Sequence, residues 1–109
     1  MTEKPLAPDD CESMTDVRLG VDTTDQQIMD LLDRRFGYMR AAARIKQERG
    51  AVRDEDRKAA VIDAVHQRAV RGNLPADEIA ALWESLVEAS IAYELVEWDR
   101  LREGLIDRG

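Results

Sequence analysis

Residues 15–47 read TDVRLGVDTTDQQIMDLLDRRFGYMRAAARIKQ, a stretch without proline and with glycine only at Gly20 and Gly37. Its apolar residues Val17, Val21, Ile28, Leu31, Leu32, Met39, Ala42 and Ala43 recur at the three- and four-residue spacing of one helical face. About 33 residues at about 1.5 Å each make a rod of about 50 Å. A folded chain of this size has a radius of gyration of only about 13 Å, so the rod is too long for its own subunit to cover. Its stripe predicts burial against a second copy of the chain.

Three cations interrupt the stripe. Arg35 and Lys46 share the face of Ile28, Leu32, Met39 and Ala42, and Arg18 lies near the helix start. Arg35 and Lys46 are close to three turns apart, so they point the same way at about 16 Å, and a small anion fits between their long side chains. Arg18 is about 25 Å before Arg35 and roughly a quarter turn off that face. Antiparallel packing of two such helices brings Arg18 of one copy to Arg35 and Lys46 of the other, giving two symmetry-related sites.

The rest of the chain supplies two shorter segments of the same kind. Residues 1–13 carry Pro5, Pro8 and an acidic polar mixture, which reads as a flexible arm, and residues 14–109 read as one helical domain. Thr15 or Asp16 can cap the first helix, and the break at Glu48, Arg49 and Gly50 predicts a loop that is mobile until something orders it. Asp54 reads as the N-cap of a second helix ending near Arg71, with Arg57, Val61, Ala64, Val65, Arg68 and Ala69 inward. Gly72-Asn73-Leu74-Pro75 stops it, and a third helix opens at Asp77 and runs to about Glu103. The inner face of that helix includes Ile79, Leu82, Trp83, Leu86, Val87, Ile91, Leu95 and Trp98, with Ser90 and Glu94 among them.

Composition narrows the function. The net charge of −7 argues against nucleic acid and anionic membranes as partners, since both need a basic footprint. No run approaches the roughly 20 apolar residues of a membrane span, and a cytoplasmic location follows by default. Cys11 is the sole cysteine, so neither an intrachain disulfide nor a metal-ligand spacing exists, and no cofactor or metal is implied. His66 reads as a surface or boundary residue, and the Trp and Tyr side chains as packing anchors.

Arg18, Arg35, Lys46, Arg57, Ser90 and Glu94 remain to be explained. A single ion pair between Glu94 and either Arg35 or Lys46 would merely hold helix register. Four cations converging on one carboxylate and one hydroxyl carry excess positive charge, which a small polyanionic ligand would balance.

In their order along three helices these residues resemble the all-helical chorismate mutase family, over about residues 10 to 103. The resemblance rests on Asp16-Val17-Arg18, Asp22 and Asp25, Leu31-Leu32-Asp33-Arg34-Arg35, Ala43-Arg44-Ile45-Lys46, Val52-Arg53-Asp54-Glu55-Asp56-Arg57, and Ser90 with Glu94. Pro8-Asp9-Asp10-Cys11 followed by Met14-Thr15-Asp16 looks most like the branch of isochorismate pyruvate lyases. It implies an all-α, three-helix subunit with a long first helix in an intertwined homodimer with shared active sites. The substrate would be a small dicarboxylate enol ether. Arg35, with Arg18 of the other copy, would bind its carboxylates, assisted by Ser90. Lys46 and Glu94 would flank the ether oxygen as the catalytic pair, while Asp54 and Arg57 close the site. A charged Glu94 would repel that oxygen and a protonated one would donate to it.

The sequence departs from the family pattern in two opposed ways. Mutases carry a glutamate after the arginine at 57, where this chain has Lys58, and the lyases also lack it. Lyases usually carry glutamine at position 94, where this chain has Glu94. The expectation is chorismate mutase, chorismate to prephenate, because Glu94 would touch the bond being broken. Isochorismate pyruvate lyase, an aminated chorismate as substrate, and a non-catalytic helical dimerisation or regulatory protein are the alternatives.

Overall fold

The computed structural model describes residues 4–106, so the ends of the expected arm and of the expected helical domain lie outside the described residues. The described chain is all-α. Helix α1 spans Met14–Ile45, α2 Glu55–Arg71 and α3 Ala76–Ile106, with 3-10 turns at Pro8–Asp10 and Arg49–Ala51. This is the expected three-helix subunit with a long first helix. Among the described residues, no helix is long and apolar enough to cross a membrane.

Local chemistry sets the helix ends. The amide of Asp16 donates to Ser13 Oγ at 3.2 Å and its carboxylate accepts from the Glu12 amide at 3.1 Å. The cap of α1 is therefore Ser13, just upstream of the Thr15 or Asp16 expected, because its hydroxyl satisfies an orphan amide of the first turn while the Asp16 carboxylate reaches back to the chain entering the helix. Asp54 caps α2 as expected, its Oδ1 accepting from the Arg57 amide at 3.0 Å. Between α2 and α3, Asn73 takes φ 56°, a left-handed conformation that asparagine tolerates, and the Leu74 amide returns to the Ala69 carbonyl at 2.9 Å.

The chain divides into two compact units, residues up to Gly37 and residues from Tyr38 onward. In the first, the arm lies beside the start of α1 and borders a cavity of about 370 Å³ lined by Leu6, Pro8, Cys11, Val17 and Val21 among others. Val17, Val21, Ile28 and Leu31 are all exposed in the isolated chain, Leu31 at 61%. Covering such a face would stabilise the fold by roughly 25 cal/mol per Å² of apolar surface removed from water.

The second unit holds the core. Val52, Val87 and Ile91 are buried together, with Val61, Trp83, Leu95 and Trp98 packed around them. Two inner-face expectations need correction. Leu82 is 62% exposed, and on α2 the positions turned inward include Lys58, Val61, Ile62, Val65 and Ala69, while Arg57, Ala64 and Arg68 are exposed. Long arginines at the margin of a short amphipathic helix reach water along their stems, which moves the buried arc away from them.

Candidate active site

Lys46 directly follows α1, and its Nζ lies 2.8 Å from Glu94 Oε2 on α3. Glu94 is 4% exposed and Ser90, one turn earlier on the same face, 3% exposed. Ser90 Oγ donates to the Leu86 carbonyl at 2.6 Å, the back-bond that lets a hydroxyl sit inside a helix core. The Lys46 side chain is 31% exposed, so the pair has a buried acidic end and a basic end that reaches solvent. A cation held at the mouth of a buried pair can exchange part of its partnership for an incoming anion, whereas a fully enclosed pair cannot.

The other expected site residues fall as follows. Asp54 and Arg57 meet at the start of α2 through cap and amide, with the Arg57 side chain exposed. Arg35, half-buried on α1, has its guanidinium pushed below its ordinary value by that burial. Arg18 is exposed on the same helix. The register-holding reading anticipated the contact between Lys46 and Glu94.

The 46–54 segment is tied rather than loose. Val52 is 4% exposed and plugs into the core beside Val87 and Ile91. Arg49 holds both carboxylate oxygens of Asp99 at 2.9 and 3.1 Å, and Arg53 holds both of Glu88 at 2.9 and 3.1 Å. Paired bidentate forks of this kind fix orientation as well as distance. The mobile loop expected from its glycine and charges is thus fastened to α3 at three points.

Lys58 joins the same array, its Nζ 2.6 Å from Glu84 and 3.1 Å from Glu88. Those hydrogen bonds raise the Lys58 pKa, Glu84 contributing most. Glu88 is held down to about 2, by the hydrogen bond from Arg53 first and that from Lys58 second. Position 58 therefore presents a cation already committed to two carboxylates.

Trp98, expected only as a packing anchor, and Arg102, which no sequence pattern singled out, grip the exit of α1. Trp98 Nε1 donates to the Lys46 carbonyl at 3.0 Å, and Arg102 donates to the same carbonyl at 2.6 Å and to that of Ala43 at 2.7 Å. The Arg102 guanidinium lies 4.2 Å from the centroid of the Trp98 ring. Their partners are main-chain carbonyls, which leave no residue pattern to find.

An all-helical chain with a lysine and a buried glutamate joined between two helices defines a small helical domain with a polar centre. The family can be stated outright: the match to the chorismate mutase type II family runs over residues 17–95, and the chain belongs to that family of isomerases. The chain is also 30% identical over 95 residues to the isochorismate pyruvate lyase of Pseudomonas aeruginosa, an alignment covering 87% of this chain and 94% of that protein.

Proposed function

We propose that this protein cleaves isochorismate to salicylate and pyruvate, in a homodimer whose sites are completed by Arg18 of the second copy. Nearly full-length similarity to an isochorismate pyruvate lyase supports the lyase over the mutase reading put first from sequence. The single observation that carries it within the chain is Lys58: where mutases of the resembled pattern hold the substrate hydroxyl with a glutamate, this chain has a lysine bound to Glu84 and Glu88.

The chemistry asks little of side chains as nucleophiles. The methylene of the enol ether must gain one hydrogen to become the pyruvate methyl, the ring must lose one to become aromatic, and the ether C–O bond must break. One transfer within the substrate satisfies all three, with the bonding electrons passing to the departing oxygen, which becomes the pyruvate carbonyl. The protein's share is to fold the substrate so that the two carbons meet and to stabilise negative charge growing on that oxygen. Lys46 supplies the charge, Arg35 and Arg18 of a second copy hold the carboxylates, Ser90 assists, and Asp54 with Arg57 closes the open side.

Chorismate rearrangement to prephenate is the second reading, favoured by Glu94 standing against Lys46 where a polarised ether oxygen would lie. The test offers purified protein isochorismate and chorismate separately and follows salicylate plus pyruvate against prephenate. Faster turnover of isochorismate supports the proposal. Prephenate as the dominant product, with no salicylate, would overturn it.

A further inference from the structure

Lys46 is held at both ends by one face of α3. Glu94 takes its ammonium at 2.8 Å, and Trp98 and Arg102, one and two turns further along the helix, take its carbonyl at 3.0 and 2.6 Å. A carbonyl has two lone pairs, and here both are used by fixed donors. The second arm of the Arg102 fork goes to the Ala43 carbonyl, one of the orphan acceptors that every helix leaves at its C-terminus. Ala43 itself is fully buried, so water cannot replace that donor easily.

From this juxtaposition we infer that Trp98 and Arg102 are positioning residues for the reaction, fixing where the Lys46 ammonium stands by locking the backbone from which its side chain springs. The inference rests on the proposed role of Lys46. Lysine has a flexible four-carbon stem, so a flexible stem on a mobile helix end would smear the charge over several ångströms. A backbone held by three hydrogen bonds confines the stem's origin, and Glu94 then confines its tip. Arg102 also stacks on the Trp98 ring, so each donor keeps the other in place. Positive charge at a helix C-terminus is favourable in its own right, which gives the cap a stabilising role beside its positioning one.

Activity separates the two roles. Trp98→Phe keeps the ring and removes one donor; Arg102→Lys keeps the charge and removes the fork; Arg102→Met removes both. Misplacing a reacting charge by about an ångström costs up to about a hundredfold in rate. Per folded enzyme, Arg102→Met should lower kcat about ten- to a hundredfold with KM changed less than about threefold, Arg102→Lys should recover part of the loss, and Trp98→Phe should fall between wild type and Arg102→Met. A purely structural cap would lower the melting temperature and leave kcat of the folded fraction unchanged, which would overturn the inference. Trp98→Phe carries the same decision should Arg102→Met not fold. Lys46→Gln is measured alongside: full activity in that variant would remove the catalytic role of Lys46 on which the inference rests, whereas loss there with unchanged kcat in the Trp98 and Arg102 variants would remove the positioning role alone.

Discussion

The ammonium of Lys46 and the carboxylate of Glu94 form an ion pair 2.8 Å long in which the acid is almost fully buried and the base reaches solvent. A pair of that asymmetry is costly to break from the basic side, because the carboxylate then stays buried alone. Lys46→Ala should destabilise the fold by about 1–3 kcal/mol, less than for a fully buried pair because water reaches the lysine. Lys46→Met combined with Glu94→Leu should recover most of that loss. Chemical denaturation of these two variants beside wild type measures it.

Val52 anchors the segment between α1 and α2 by a single side chain in the core. Val52→Ala removes two methyl groups there and should cost about 1–3 kcal/mol. Amide exchange in residues 48–53 should accelerate more than exchange in α3. Equal acceleration throughout would mean that the segment opens only with the whole fold, and no acceleration in it that its arginines alone hold it.

Glu88 titrates near 2 in the folded chain against an ordinary value of 4.5, through its hydrogen bonds with Arg53 and Lys58. A depressed carboxylate stabilises the fold above its unfolded pKa, and that contribution is lost as the pH falls from about 4.5 to about 2. Wild-type stability should therefore fall more steeply across that window than that of Glu88→Gln. Because the group is exposed, 1 M salt should narrow the difference.

Much of this arrangement was legible in the residues. Helical phase alone put Lys46 and Glu94 on inward faces, and a carboxylate followed by a charged run marked Asp54 as a cap. Val52 was not legible, since a lone large apolar residue in a short connection between helices has no period. Nor was the grip of Trp98 and Arg102, whose partners are carbonyls. Leu82 had the right spacing but the wrong exposure, because a helix touching its neighbours over a narrow arc buries only the centre of its stripe.

Lys58 offers a specificity test. Lys58→Glu would place three carboxylates together with Glu84 and Glu88, releasing the new side chain from α3 by repulsion. The ratio of prephenate to salicylate formation should rise, at some loss of stability. An unchanged ratio would take position 58 out of substrate selection.

The exposed apolar face of α1 carries the proposed dimer. Ile28→Glu places a charge in that face and should shift the protein toward monomer in sedimentation velocity, with loss of turnover. A monomeric wild type with full activity would exclude sites shared between copies.

The most direct measurement is kcat/KM for isochorismate in Lys46→Ala beside wild type. Electrostatic stabilisation of a departing oxygen is worth roughly a hundred- to a thousandfold in rate, so a drop of about that size is expected in a variant that remains folded. A folded Lys46→Ala protein that forms salicylate and pyruvate at the wild-type rate would contradict the role assigned to this lysine.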